Sequence, residues 1–309
     1  MGYLFLIIAN IAGISKVAAM KGCGKECPGE YNSVRINAFR ALLCTLVSVV
    51  IFYLTGARFT VEEAYIWILS GFSNALMMFV WILCAQKIGL LFVEAFAMVG
   101  AVIIPMLIAP LLYEGESVSV WQWVGVVCLL IALIILSLTP NKAKKTDAVN
   151  EAFETRKGKG KLLIVFYLAL LIISNAGVSI TQKLYPIRAG KEYTAYFNLM
   201  TFAVVFLCFS AVLLCGKIFK GKSLLPKDSA SGKKLVIFVS LAAVMIYVYQ
   251  YFATLAAGVL PSAVYYPLFR GIGMMLTVLC DMLIFKQKVT KNMILGLGFI
   301  FAAIVLTNL

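Results

Sequence analysis

Ten stretches of about 20 mostly apolar residues follow one another along this chain, each long enough for a helix to cross the roughly 30 Å hydrocarbon core of a bilayer. They cover residues 2–20, 34–54, 64–86, 90–113, 120–138, 162–182, 194–216, 234–257, 261–284 and 292–308. Lipid offers no hydrogen bonds, so each segment must satisfy its own backbone, which a helix does. Composition agrees: 63% of residues are hydrophobic, mean hydropathy is +1.00, and only 13% are charged, against roughly 25% in a soluble domain. The expected class is an all-α integral membrane protein of ten transmembrane helices, located in a cell membrane as a multi-pass chain. Residues 2–20 have no charged run ahead of them and carry Asn10 inside the apolar stretch, so they read as the first helix and not as a cleaved leader.

A net charge of +14 would point to nucleic acid in a soluble protein. Here the basic residues crowd into alternate loops: Lys21, Lys25, Lys87, Lys142, Lys144, Lys145, Lys217, Lys220, Lys286 and Lys288 follow odd-numbered segments, whereas the opposite loops hold Arg58, Arg188 and Lys191. Insertion produces that pattern, because cytosolic loops retain Lys and Arg. Both termini are therefore expected on the non-cytoplasmic side, and no nucleic-acid partner is expected. The cysteines inside segments read as small apolar packing residues. Cys23 and Cys27 read as free thiols of a cytosolic loop, and a C-x₃-C with no second pair and no His in the chain is a poor metal site. No metal and no cofactor are expected.

Residues 114–125 (EGESVSVWQWVG) can be laid on residues 285–296 (FKQKVTKNMILG) so that Val118 meets Val289, Ser119 meets Thr290 and Gly125 meets Gly296. Likewise AGIS at 12–15 matches AGVS at 176–179, and Asn37 matches Asn198. The chain thus reads as two five-helix repeats, residues 1–138 and 162–309, joined by a basic cytosolic linker at 139–161. Five is odd, so the second copy enters the membrane from the other side and the repeats are inverted, the usual build of secondary transporters.

Ten helices in a five-plus-five repeat, a fourth segment with Pro105 and Pro110 ending in Glu114-Gly115-Glu116, a fifth bearing Gly125, and the same layout around Pro267 and Gly296 resemble the drug/metabolite transporter superfamily, EamA-like ten-helix branch. The resemblance covers essentially the whole chain through loose motifs. It implies a central cavity walled by helices 1–4 and 6–9, with 5 and 10 at the periphery, and alternating access. It does not imply a cargo, since one fold hosts many.

The residues themselves offer a path. Arg270 lies nine residues past Pro261 within the ninth apolar segment, and a charge that deep is costly unless it faces protein or water. Tyr266, Arg270, Gly273, Thr277 and Asp281 share one helix face within about 80°. Further polar faces come from Tyr247, Gln250, Tyr251 and Thr254, from Asn175, Ser179 and Gln182, and from Ser70, Asn74 and Trp81. Ser70, Asn198 and Thr201 read first as cross-helix packing groups. Arg270 grips an anionic group of a substrate, pairs with Glu94, or stands on a solvated cavity wall; Asp281, about 16 Å along the helix, is too far for a direct bond. Lys16, Arg40, Glu94 and Asp281 read as an ion-pairing collar near the cytosolic ends, with Lys16, Glu94 and Asp281 as coupling candidates.

Two functions compete. The first is secondary transport of a small anionic or zwitterionic metabolite, such as an amino acid, at Arg270, Tyr266, Tyr247, Gln250 and Tyr251. The second is proton-coupled export of organic cations or drugs centred on Glu94, whose carboxylate would hold a cation when ionised and release it when protonated. An intramembrane enzyme is disfavoured: there is no His, and no Ser or Cys has a general base beside it.

Overall fold

The computed structural model describes residues 1–26, 30–88, 93, 96–113, 115–137, 159–220, 232–283 and 290–309. Among them are ten α-helices and no strand: α1 Gly2–Glu26, α2 Glu30–Leu54, α3 Ala64–Ile88, α4 Ile104–Leu112, α5 Val120–Ser137, α6 Lys159–Arg188, α7 Thr194–Lys220, α8 Gly232–Ala257, α9 Ser262–Leu283 and α10 Lys291–Leu306. Seven helices are long and apolar enough to span a membrane, and three shorter apolar ones cover Phe96–Leu112, Val120–Leu136 and Lys291–Leu306. At 1.5 Å per residue the shorter ones reach about 24–26 Å, a modest mismatch that a bilayer absorbs by local thinning. Large apolar side chains point outward along many helices, among them Leu46 and Val50 of α2, Leu111 of α4 and Phe301 of α10. Such surface suits lipid, not water. The protein is a multi-pass helical membrane protein.

The chain divides into two compact units. The first holds Met1–Phe79 and Thr181–Val259, the second Val80–Ile180 and Leu260–Leu309, so α3 and α6 each run from one unit into the other.

In the first unit α1 packs on α8, and α2 packs on α7 and α8. The α1–α8 pair is antiparallel, since Phe5 meets Phe252 at 5.8 Å while Cys23 packs with Leu235 and Val239. That contact corrects an expectation: Cys23 lies inside α1 and is 1% exposed, not in a loop, because the helix runs six residues past Met20. Cys27 lies outside the described residues. At one end Phe52, Tyr185, Tyr196 and Phe197 form an aromatic cluster around Ile66, with Tyr185 stacked on Phe197 at 4.7 Å. Gly71 lets α3 approach α7, for a Cβ there would lie 2.4 Å from the Cβ of Val204.

In the second unit α5 lies against α10, and their capping residues are the ones the internal alignment paired. Ser119 Oγ accepts the amide of Gln122 at 3.2 Å while Gln122 Oε1 accepts the amide of Ser119 at 2.9 Å, a capping box. Thr290 caps α10 by accepting the Met293 amide at 3.3 Å. α4 is entered through a π-helical turn at Val99–Ile103, followed at once by Pro105, which has no amide to give. The bulge sits where Gly100 meets α6: a Cβ on Gly100 would fall 2.3 Å from the Ile172 carbonyl oxygen. Val80, Cys84, Val93, Ala97, Ile164, Leu168 and Leu171 form the core beneath it. Gly115, at φ +79, turns the chain after α4 so that Glu116 Oε2 accepts the backbone amide of Ser262 at 3.0 Å. A carboxylate there satisfies an orphan donor and complements the positive end of α9.

Of the expected linker 139–161, residues 139–158 lie outside the described residues and Lys159 already opens α6. That helix also runs through Pro186 to Arg188, beyond the apolar segment's end at Gln182.

Candidate functional site

The first unit's polar face is built on α8. Tyr247, Gln250 and Thr254 lie at i, i+3 and i+7, on one side of the helix, and all three are buried. The Tyr247 ring stacks on Tyr251 at 5.8 Å with an 18° interplanar angle and meets Phe202 at 6.3 Å, which fixes its direction. The Gln250 backbone carbonyl accepts Thr254 Oγ1 at 2.8 Å and Gln182 Nε2 at 3.4 Å, tying α6 to α8. Two groups on this face have no hydrogen-bond partner among the described residues: the Tyr247 hydroxyl and Gln250 Nε2. A buried donor left unmade costs about 1–3 kcal/mol, so a pair of them one helical turn apart is a standing demand for an acceptor.

Asn74 is buried and donates Nδ2 to its own helix at Ser70 O, 3.0 Å. Asn10, Asn175 and Asn198 do the same, to Leu6 O at 2.9 Å, Leu171 O at 2.8 Å and Thr194 O at 3.0 Å. Cross-helix gluing is therefore not what Asn198 does with its amide, and Ser70 Oγ and Thr201 Oγ1 are buried without a hydrogen-bond partner among the described residues. Lys16 places Nζ 3.3 Å from the Tyr249 ring centroid, a cation–π contact between α1 and α8.

The second unit holds Trp81, Asn175, Ser179, Tyr266 and Arg270. Trp81 packs on the core that Val80 and Cys84 of α3 form with Val93, Ala97 and Ile164, Leu168 and Leu171 of α6. Asn175 lies against Gly100, whose hypothetical Cβ would come within 3.0 Å of the Asn175 Cβ. Tyr266 is 2% exposed and donates its hydroxyl to Ser179 O at 3.2 Å, while Tyr113 donates to Ile180 O at 3.3 Å. The two phenols thus bond to adjacent carbonyls of α6, so α9 and the residue that ends α4 are tied to the same turn of α6.

Arg270 is half-buried, one turn past Tyr266, and no hydrogen bond or ion pair reaches it among the described residues. Further along α9, Thr277 is exposed and bonds back to Gly273 O at 2.8 Å, so the anticipated polar stripe passes from a buried tyrosine to an exposed threonine within three turns. Glu94 lies outside the described residues, as does the side chain of Asp281.

Two buried cations escaped the sequence-based site. Lys183 is 1% exposed, hidden from sequence reading because the span appeared to stop at Gln182 ahead of Pro186. Arg40 is 7% exposed and therefore not a snorkelling side chain. Glu116 and Tyr113 were also missed as groups that position α9; both partners come from far along the chain.

Comparison with known proteins fits this architecture. Residues 221–300 match the family model of the Small Multidrug Resistance protein; these residues include α8, α9 and the first part of α10, and with them Tyr247, Gln250, Tyr251, Tyr266 and Arg270. No curated protein matches the sequence. One crystal structure of a protein superposes with a TM-score of 0.71 over 99% of this chain and 95% of its own, at 13% sequence identity. At that identity the likeness is one of fold alone. The family match is confined to residues 221–300, and there the chain is similar to a family of small-molecule transporters.

Proposed function

We propose that the protein is a secondary active transporter of a small anionic or zwitterionic metabolite, such as an amino acid, working by alternating access. The observation that carries this reading is Arg270. A permanent cation about nine residues into a membrane helix, half-buried and with no acid on it among the described residues, is functional by default, and its planar fork suits a carboxylate or phosphate. Within the first unit, the Tyr247 hydroxyl and Gln250 amide, left without a hydrogen-bond partner among the described residues, are a second pair of donors open to a polar ligand. Two five-helix inverted repeats are supported by the matched caps Ser119 and Thr290 and by the packing of α5 on α10. Membership of the EamA-like branch, and termini outside the cytosol, belong to the same proposal.

The test is transport by purified protein in vesicles. A thermal-unfolding screen of carboxylate and phosphate metabolites first finds the cargo, since a ligand at 100 times its Kd stabilises the folded form by about 2.7 kcal/mol. Labelled cargo should then exchange in saturable counterflow. Arg270→Ala should abolish both responses, and undiminished counterflow by that variant rejects the assignment.

The multidrug-resistance family match favours a second reading, export of organic cations with proton coupling at Glu94. Under that reading Glu94→Gln removes the pH dependence of cation export while Arg270→Ala leaves export intact. A wild-type protein indifferent to cationic drugs eliminates it.

A further inference from the structure

The loop that joins α2 to α3 in the first unit ends on a strained residue. Glu63 has φ +56, a left-handed backbone that a residue with a Cβ adopts rarely and at a cost. It stands immediately before α3, and its carbonyl accepts the Ile66 amide at 3.0 Å. The exposed Tyr65 phenol lies close enough to act on the Glu63 carboxylate. The second carboxylate oxygen, Oε2, is buried with no hydrogen-bond partner among the described residues.

Two more such atoms belong to the same corner. Trp67, one turn into α3 from Glu63, leaves its indole Nε1 unmatched, and Tyr185 of α6 leaves its hydroxyl unmatched. Trp67 packs on the cluster that holds Tyr185, Tyr196 and Phe197, and the Glu63 charge reaches the Tyr185 hydroxyl. The basic residues that flank this corner along the chain, Arg58, Arg188 and Lys191, are all described and all exposed. None of them makes an ion pair with Glu63 among the described residues.

The three unmatched groups differ in kind. A carboxylate oxygen only accepts, an indole N–H only donates, and a phenol does either. A water molecule can bridge a donor and an acceptor, but it brings no charge to set against a buried carboxylate oxygen. A ligand that answers all three carries a cationic donor and an oxygen. Aromatic faces add cation–π attraction, and this corner is rich in them: Phe59 lies 4.6 Å from Phe52 and 5.8 Å from Tyr196 between ring centroids.

We propose that Glu63, Trp67 and Tyr185 form a site for a primary ammonium group with an oxygen close to it, the pattern of an amino alcohol or of an ethanolamine headgroup. The ammonium meets Glu63 Oε2 and the Tyr185 hydroxyl, while the oxygen accepts from Trp67 Nε1. The left-handed turn at Glu63 directs its carboxylate inward. The site lies wholly in the first unit, and the inference stands whatever cargo Arg270 binds.

The test follows the thermal unfolding of the full-length protein in detergent, with ethanolamine hydrochloride set against sodium chloride at equal ionic strength and neutral pH. Wild type should show a saturable rise in midpoint, and Glu63→Gln should show none. Trp67→Phe should need about fivefold more ethanolamine, the worth of one neutral hydrogen bond, and ethylamine, which lacks the oxygen, should show the same deficit on wild type. Arg270→Ala should keep the full response, which separates this site from that one. No saturable rise in wild type, or an equal rise in Glu63→Gln, overturns the proposal. Should Glu63→Gln fail to fold, Glu63→Gly serves instead, since glycine fits the left-handed backbone while removing the carboxylate. A stable protein without the response is then expected, and a full response overturns the assignment. Native mass spectrometry after purification from bilayers rich in phosphatidylethanolamine identifies the source. Lipid retained by wild type and lost from the Glu63 variant assigns the site to a headgroup, and an ethanolamine response without retained lipid assigns it to a free amine.

Discussion

Gly125 of α5 and Gly296 of α10 are packed in reciprocal register. A Cβ on Gly125 would fall 2.7 Å from Thr307 Cγ2, and a Cβ on Gly296 would fall 2.6 Å from Leu136 Cγ; each of those partners stands eleven residues beyond the other glycine. The two helices therefore run antiparallel with a local two-fold contact. The glycines let the backbones close, as small residues do where no hydrophobic gain separates helix from lipid.

Replacing either glycine should open that interface. Gly125→Val puts carbon into Thr307 and the Ala303 carbonyl, which lies 3.1 Å from the hypothetical Cβ, and overpacking of this kind costs about 1–3 kcal/mol. Gly298 has nothing within 4 Å of its hypothetical Cβ, so Gly298→Ala should be neutral or stabilising by up to about 1 kcal/mol. Unfolding midpoints in detergent check the contrast, and equal effects would discount the packing account.

Gly100→Val should be the most damaging of the glycine changes. Its Cβ would meet the Ile172 backbone carbonyl, which no rotamer change can move. Size-exclusion profiles of the expressed variant should show loss of the monodisperse peak; a normal profile would mean that the π-helical turn relaxes without harm.

Tyr247→Phe should dissociate stability from function. The hydroxyl has no protein partner among the described residues, so deleting it should leave the unfolding midpoint unchanged or raise it, while apparent affinity for the transported metabolite falls about tenfold, the worth of one hydrogen bond to a charged group. A drop in midpoint with intact transport would show that the hydroxyl is structural.

Tyr266→Phe should behave in the opposite way. This phenol bonds to Ser179 O at 3.2 Å, joining α9 to α6, and its loss should cost about 0.5–1.5 kcal/mol. Unfolding midpoints check it, with transport by the surviving folded fraction as the second readout.

Glu116→Ala removes the acceptor for the Ser262 amide, and the loss of such a cap costs about 0.5–2 kcal/mol. Glu116→Gln keeps an oxygen and should recover most of it. Equal losses in the two variants would mean that the charge, not the hydrogen bond, matters to α9.

Apolar runs alone were enough to place ten helices, because in lipid a run of that length has one way to satisfy its backbone. Ser119, Thr290, Gly125 and Gly296 could be paired before any packing was visible, since caps and close approaches demand particular residue types. Periodicity also put Tyr247, Gln250 and Thr254 on one face, and they are buried together. It could not say which neighbour that face meets. Only the tertiary arrangement left Tyr247 without an acceptor, exposed Thr277, carried α1 on to bury Cys23, and set Arg40 among thioethers where sequence distance suggested a snorkelling collar. Those outcomes depend on contacts between residues scores of positions apart, such as Arg40 with Met78 or Glu116 with Ser262. A helical pattern specifies the direction of a side chain around its own axis, whereas burial, pairing and unmet hydrogen bonds are properties of the helices on the other side.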